Sequence, residues 1–578
     1  MRNGKILNKK FFQFLLPTSL SIVAMSLNEF VDALLVANLI DSDAMTLVNM
    51  GTPLVFIFAV IYALLGVGGS TLYAGYLGRY EIKKAEKIFT VTMLAALFIS
   101  LAVLIFGFVF IDFLSGLMCK APEYSTIFKQ YIRVLIVSSV LIIPIQVLIS
   151  FMPSFGRPGV GTFINITANV VNLIMDYVYI RFFATGLSGA AYATLTGYAV
   201  GAVIIFVLYI MGKLQLPFAK ISLKDLCELK EAIAVGLSPA ANQVGYCIKV
   251  SFSNHVAFAL AGMAGTTVYS LCMQVVSIIS IFIGGVIDAA VPIASSLYGQ
   301  RDFSGVRLLM KTAIWVQFIT TILCFAVIEV WPQGVLAMYN VSGDMTPLAI
   351  NGLRIFTVMF LFRGFTLVYI YYFPIIGRKI YAFVISLTDG FLGLIPLILI
   401  LTMLNGINGL WQAYALLSIL LVFGIVVVNI IISIRSKGKY SKLLLLEHED
   451  ENIPVYECSI NAINKDVSEL SKNIQTFCED HGTEQKLSLL TALSVEEMSV
   501  FTIEQNKNSH IDQIDILLKI YPEYILMDFR SIGTPFDISA TTEEYSNMDI
   551  LKKIVTDMEY NYVLGMNQTR LKYNRQYS

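Results

Sequence analysis

From Phe11 to Ile434 the chain is apolar with few interruptions, and this run decides what it can become. Twelve stretches, near 12–38, 52–76, 89–112, 131–152, 161–183, 189–212, 232–261, 267–296, 312–332, 351–374, 380–403 and 409–434, each offer the roughly 20 mostly apolar residues that cross a bilayer as a helix. Backbone in hydrocarbon has to satisfy its own N–H and C=O groups, and a helix does so within one segment. The expectation is an all-α polytopic membrane protein with twelve transmembrane helices, followed beyond about residue 435 by ordinary polar sequence. Only 14% of the 578 residues are charged, against about 25% in a soluble protein, so a soluble fold is excluded for most of the length. The net charge of zero gives no case for nucleic acid. The seven cysteines are odd in number and form no CxxC pair, which speaks against a disulfide framework or a structural zinc. The opening MRNGKILNKK could precede a signal peptide. No small-residue cleavage site follows, however, and Asn28, Glu29 and Asp32 interrupt the apolar run, so it reads as the first span.

Lys and Arg residues orient the spans. With the N-terminus inside, the inner connections carry 22 of them and the outer ones 5, and one helix more or fewer would scramble that bias. Both termini are therefore expected in the cytoplasm and the spans in the cell (inner) membrane.

The apolar region repeats itself. Pro17 in FLLPTSL recurs as Pro239 in GLSPAAN, 222 residues on. At an offset of 221, Gly78 in GYLGR recurs as Gly299 in SLYGQR, and MPSFGR (152–157) as FPIIGR (373–378). GLSGAA from Gly186 returns at an offset of 220 as GINGLW from Gly406. These landmarks divide the chain into two pseudo-symmetric six-helix bundles, 1–220 and 221–440, plus a tail at 450–578. Parallel repeats of this kind build transporters in which one half rocks against the other.

Ionisable residues within spans are costly and mark pathways, pairs or ion sites. In the first half they are Glu29, Asp32 and Asp176, with Asn172 one helical turn from Asp176. Carboxylate and amide oxygens on neighbouring helices suit a hard cation such as sodium, or a proton. The second half holds Lys249, Asn254, Asp288, Arg363 and Asp389, with Asn254 standing where the repeat puts the counterpart of Asp32. Lys249 and Asp288 read equally as an ion pair or as cavity groups that meet substrate. His255, beside Asn254, reads as a packed or hydrogen-bonded histidine.

Taken together, Pro17 in the first helix, FVDALLVANL, GYLGR, SFGRPG, NVVNLIMDYVYI and GLSGAAYAT resemble the multidrug and toxic compound extrusion (MATE) family over about residues 10–435. The resemblance implies two six-helix bundles around a V-shaped cavity. It also implies export of organic cations, drugs or metabolites in exchange for sodium or protons, with no cofactor beyond a coupling sodium ion. The family's cation site maps onto Asp32, Asn172, Asp176 and Thr194, all of matching type. Glu29, Gln243, Lys249, Asn254, Asp288 and Asp389 remain candidates for substrate or coupling contacts. The expected partners are a small cationic or amphiphilic substrate and membrane lipid. Two other readings stay open: a lipid-linked substrate flippase of the same superfamily, and a membrane sensor signalling through its tail.

The tail reads as an α/β two-layer sandwich: strand VYECSI, helices KDVSELSKNIQTFCED and TEQKLSLLTALSVEEMSVFTIEQ, paired strands DILLKIYPEYILMDF, helix MDILKKIVTDM, then closing strands. It resembles the histidine-kinase-type ATPase fold, especially its anti-sigma-factor kinase branch, through VEEMSVFTIEQ, SIGTPFD and YNYVLGMNQTRLKY. The nucleotide-binding residues that the resemblance implies are replaced. Phe501 stands at the magnesium-binding Asn, Ser531 at the adenine-reading Asp, and Asn547 and Asp549 at the phosphate glycines; Glu496, Glu497 and Gly533 remain. A degenerate nucleotide site follows, in a non-catalytic regulatory domain kept for a cytoplasmic protein partner or a small ligand.

Overall fold

The computed structural model describes residues 2–40, 42–119, 124–183, 185–338, 345–448, 453–461, 464–505, 513–536, 551–552 and 554–575. In the first half, α1 (Lys5–Leu39) is followed by α2 (Ser42–Ile61), which runs through a π-helical turn at Tyr62–Val67 into α3 (Gly68–Gly78). Next come α4 (Ile82–Val109), the short α5 (Ile111–Met118), α6 (Ser125–Phe151), α7 (Pro158–Arg181) and α8 (Ser188–Ile210). The second half opens with α9 (Cys227–Gly299), then α10 (Phe303–Val330), α11 (Pro332–Met338), α12 (Thr346–Thr357) and α13 (Phe360–Tyr372). It closes with α14 (Lys379–Leu387), joined by a π-helical turn at Thr388–Leu392 to α15 (Leu394–Asn405), and α16 (Ile407–Arg435).

Among the described residues, ten helices are long and apolar enough to cross a membrane, or eleven if α12 and α13, bent by 42° at their junction, make one span. Large apolar side chains such as Phe98, Phe106, Phe206, Met403 and Phe423 stand exposed along them, as a hydrocarbon surrounding permits. The 73 residues of α9 would measure about 110 Å as one rod, several times the bilayer core. The helix breaks at Ala261 and Gly262, and Gly262 adopts φ +58°, ψ −144°, a conformation open to glycine.

The repeat is written in the backbone. Tyr80 and Arg301 carry φ of 62° and 58°, Gly156 and Gly377 carry 75° and 79°, and Gly186 and Gly406 carry 56° and 58°. Each pair is separated by the sequence offset of 220 or 221. The halves meet along α3 and the end of α9, where glycine lets backbones touch. A Cβ added at Gly78 would stand 2.1 Å from the Ser296 carbonyl oxygen, and one at Gly299 would stand 2.3 Å from that of Gly75. The Ser295 hydroxyl donates across this seam to Thr71 O at 2.6 Å.

The tail folds around a second core. Strands β1 (Val455–Asn461), β2 (Gln513–Ile520), β3 (Tyr524–Ile532), β4 (Asp557–Val563) and β5 (Met566–Asn574) form an antiparallel sheet in the order β1-β2-β3-β5-β4. Side chains alternate between faces along each strand. Ile516, Leu518, Met527, Phe529 and Leu571 pack with Leu470 and Ile474 of α17 (Asn464–Asp480) and Val495 and Met498 of α18 (Gln485–Gln505). Asp515, Arg530, Gln568 and Asn561 lie on the opposite, polar face, which rests on the membrane region. The helix expected over MDILKKIVTDM ends early. Leu551, Lys552 and Ile554 are helical, but Asp557 and Met558 already belong to β4, opposite Lys572 and Leu571. The Leu564–Gly565 turn, with both φ positive, sets that hairpin and recruits the preceding residues into strand.

Candidate functional site

Helix periodicity builds an oxygen-rich cluster in the first half. Asn165, Asn169, Asn172 and Asp176 recur at intervals of four, three and four residues on α7 and so share one face; Asn28 and Asp32 share a face of α1. α1 and α7 pack together, with Asn165 Nδ2 donating to Ser21 Oγ at 2.7 Å and Thr162 Oγ1 donating to Pro17 O at 2.8 Å. Asp176 is fully buried and Asp32 half-buried, and their carboxylates face each other. Asn172 Nδ2 donates to Thr194 Oγ1 at 3.3 Å, and that hydroxyl donates to Ala190 O at 3.1 Å.

Among the described residues, no donor reaches either oxygen of Asp176, Oδ1 of Asp32, or the side-chain oxygens of Asn28 and Asn172. Tyr131 of α6, also buried, stands within electrostatic reach of both carboxylates. Two like charges facing each other away from water repel, and a shared proton or a bound cation relieves the repulsion. The four residues expected to bind the cation, Asp32, Asn172, Asp176 and Thr194, thus come together. Sequence reasoning missed Asn28, Asn169 and Tyr131. The signal for the asparagines was their spacing, whereas Tyr131 is brought in by packing alone. The side chain of Glu29 lies outside the described residues.

The second half gathers charge differently. Asp389, in the π-helical turn after α14, accepts from Lys249 Nζ at 3.2 Å, from Arg363 Nη1 at 3.1 Å and from Asn242 Nδ2 at 3.2 Å. Lys249, Arg363 and Asp389 are all buried. The ion pair considered for Lys249 is therefore not with Asp288: α9 breaks between them, and Lys249 is held by Asp389 instead. Gln243 and Asn254 sit half-buried on the first segment of α9, outside this network.

Asp288 projects into a cavity between the halves with about 670 Å³ of empty space, open solvent included. Although deep in the molecule, its side chain is exposed because the cavity reaches it. Tyr62 of the first half and Tyr371 of the second flank it, and Ser21, Thr71 and Thr162 add hydroxyls to the wall. No described cation pairs with this carboxylate. The cavity thus offers one unpaired negative charge between aromatic rings, a setting suited to an organic cation.

In the tail, several of the residues expected at a degenerate nucleotide site are packed or buried among described neighbours. Phe501 packs edge-on against Phe536 at 5.5 Å, and Phe536 stacks on Tyr560 at 5.8 Å. The Tyr560 hydroxyl donates to Asn567 Oδ1 at 2.6 Å. Ser531 is buried in β3, the Gly533 carbonyl accepts from the Tyr562 hydroxyl at 3.2 Å, and Glu497 is half-buried on α18. Asn547 and Asp549 lie outside the described residues.

Comparison with known proteins gives a consistent picture. The family model MatE matches residues 17–178 and 244–400. A protein named multidrug export protein MepA from Staphylococcus haemolyticus (strain JCSC1435) is 21% identical over 456 residues, covering 76% of this chain and 97% of its own. The protein of the same name from Staphylococcus aureus (strain MSSA476) is 19% identical over 414 residues, covering 70% and 89%. A solved structure described as the outward-facing conformation of a multidrug resistance MATE family transporter of the MOP superfamily superposes with a TM-score of 0.68 at 20% identity, over 72% of this chain and 93% of that one. A MOP superfamily transporter from Pyrococcus furiosus, described as having a binding pocket of reverse polarity, gives 0.66 at 20% identity, over 73% and 97%. Matched over more than half its length by the family model, the chain belongs to the MatE family of multi-pass membrane transporters and is not an enzyme.

Proposed function

We propose that the protein is a cation-coupled antiporter that exports organic cations or other amphiphilic drugs and metabolites by alternating access. The carrying observation is the Asp32–Asp176 pair, two carboxylates face to face with no described cation beside them and no described donor on either Asp176 oxygen. In this reading the pair, with Asn172 and Thr194, takes up a sodium ion or a proton on one side of the membrane and gives it up on the other. Asp288, unpaired in the cavity between Tyr62 and Tyr371, meets the positive charge of the substrate. The names of the staphylococcal relatives agree with export of many drugs. Counting the two segments of α9 as separate spans, and α12 with α13 as one, brings the crossings to the expected twelve. The charge bias supports a cell-membrane protein with both termini and the tail in the cytoplasm. The tail binds no Mg-ATP, because Phe501, Phe536 and Tyr560 fill the place where a nucleotide site of that type would form. A flippase for lipid-linked substrates, which would need cavity cations, fits less well, since Lys249 and Arg363 are tied to Asp389.

The test is efflux of a fluorescent organic cation from proteoliposomes under separate sodium and proton gradients. One of the two gradients is expected to drive efflux; efflux indifferent to both would overturn the coupling.

A further inference from the structure

We propose that the tail domain is a strap across the seam between the two transporter halves, holding them shut on the tail side, and that opening there requires the strap to release one half. The sheet order places the contacts. Its β1–β2–β3 side grips the second half, where Arg530 of β3 reaches Gln300 and Asp302 Oδ2, the latter at 3.1 Å. Lys519 of β2 donates to Arg301 O at 2.9 Å, and Ser304 donates to Glu457 of β1.

The β5–β4 side grips the first half, although Gln568 of β5 also accepts from Gln300 of the second. Asn561 of β4 donates to Leu77 O at 3.0 Å, and the Arg570 guanidinium lies 4.5 Å from the Tyr80 ring centre. Lys10 Nζ of α1 donates to Gly565 O at 3.2 Å, and the β4–β5 turn lies so close to Gly156 that a Cβ there would meet Gly565 N at 2.3 Å. The gripped segments, 77–80 and 300–302, are the same loop of the repeat, each with its positive-φ residue. They directly follow the helix ends at which Gly75 and Gly78 touch Gly299 and Ser296.

The N-terminus locks the junction. Arg2, just before α1, is buried and reaches Asp302 of the second half at 2.8 Å and Asp515 of the tail at 3.3 Å, so one side chain joins all three bodies. Asp302 also accepts from Gly305 N at 2.8 Å, capping α10. Burial alone would raise the Asp302 carboxyl, but Arg2 and Arg530 outweigh it and hold the group well below the usual carboxylate range. A rocking motion that parts the seam on this side has to part loop 77–80 from loop 300–302, and the sheet cannot follow both. The buried ion network, Arg2 included, anchors the tail on the second half, and the remaining first-half contacts, an amide and an aromatic face among them, are the ones that let go.

This inference rests on alternating access. It is tested on the full chain in nanodiscs by spin-label distances between the exposed positions Lys83 and Arg307, each changed to Cys, in a Cys227→Ser background that removes the exposed native thiol. Asn561→Ala removes one first-half contact at little risk to folding, and Arg530→Met weakens the anchor. Each is expected to raise the population at the longer distance by about threefold or more. Unchanged distances in both variants overturn the strap. Opening in both variants supports it, and the wild-type response to the coupling cation then tests the transport reading on its own.

Discussion

The two halves share a backbone plan and a seam but treat buried charge in opposite ways. The first half sets Asp32 against Asp176 with no described cation nearby, while the second sets Lys249 and Arg363 around one Asp389. In the second-half cluster each of the three charges has a partner, and these side chains tie α9, α13 and the turn after α14 into one piece. In the first half the excess negative charge is unsatisfied, so its packing depends on what binds. A duplicated bundle can thus divide its labour, one copy holding shape and the other exchanging an ion. Arrangement decides which is which, since both halves carry buried carboxylates.

The largest expected effect lies in the first half. Asp176→Asn and Asp32→Asn each remove a charge from the proposed coupling site. Gradient-driven efflux in proteoliposomes should fall to background in both, with normal insertion in the membrane. Normal flux in either would erase the functional contrast between the halves.

The same chemical change should act with opposite sign on stability. Asp389→Asn strands Lys249 and Arg363 beside each other away from water, a loss of about 3–5 kcal/mol. Asp176→Asn relieves repulsion and leaves stability level or higher. Thermal unfolding in detergent without substrate separates the two, and equal melting temperatures would break the comparison.

A smaller effect is expected in the cavity. Asp288→Asn should weaken transport of cationic substrates by about tenfold while sparing neutral ones, as loss of about 1.4 kcal/mol of charge recognition would do. Uniform loss across both classes would make Asp288 a structural residue. The smallest concerns Tyr131, which touches the ion site only at long range. Tyr131→Phe should raise the half-saturating cation concentration about threefold and leave maximal flux unchanged. A fall in maximal flux would give Tyr131 a larger part.

Much of this was legible in the sequence, because helix periodicity and the repeat are one-dimensional. The 221-residue offset located the loops that share a positive φ, and the spacing of Asn172 and Asp176 put both side chains on one face of α7. What was not legible depends on packing between distant elements. Lys249 could not be assigned to Asp389 because the pairing is fixed by the break at Ala261–Gly262 and by the π-helical turn that carries Asp389. Tyr131 lacked a signal for the same reason. In the tail, the apolar alternation of β2 and β3 revealed one face of the sheet. The start of β4 was set by its hairpin with β5, which outweighed the helical pattern of MDILKKIVTDM. The opposing polar face gave no hint that it would lie on the transporter, since Asp515, Arg530 and Gln568 read as ordinary surface residues until their partners 230 to 513 residues away are known.

The central claim, that the first-half acid pair holds the coupling cation, is tested most directly by cation binding to the purified full chain. Radiolabelled sodium uptake at equilibrium and proton release on adding substrate, measured side by side, cover both ions. The account predicts that wild-type protein binds sodium or releases a proton, that Asp176→Asn does neither, and that Asp288→Asn keeps the wild-type ion response when sodium is the probe. Sodium binding or proton release by Asp176→Asn at the wild-type level would contradict it.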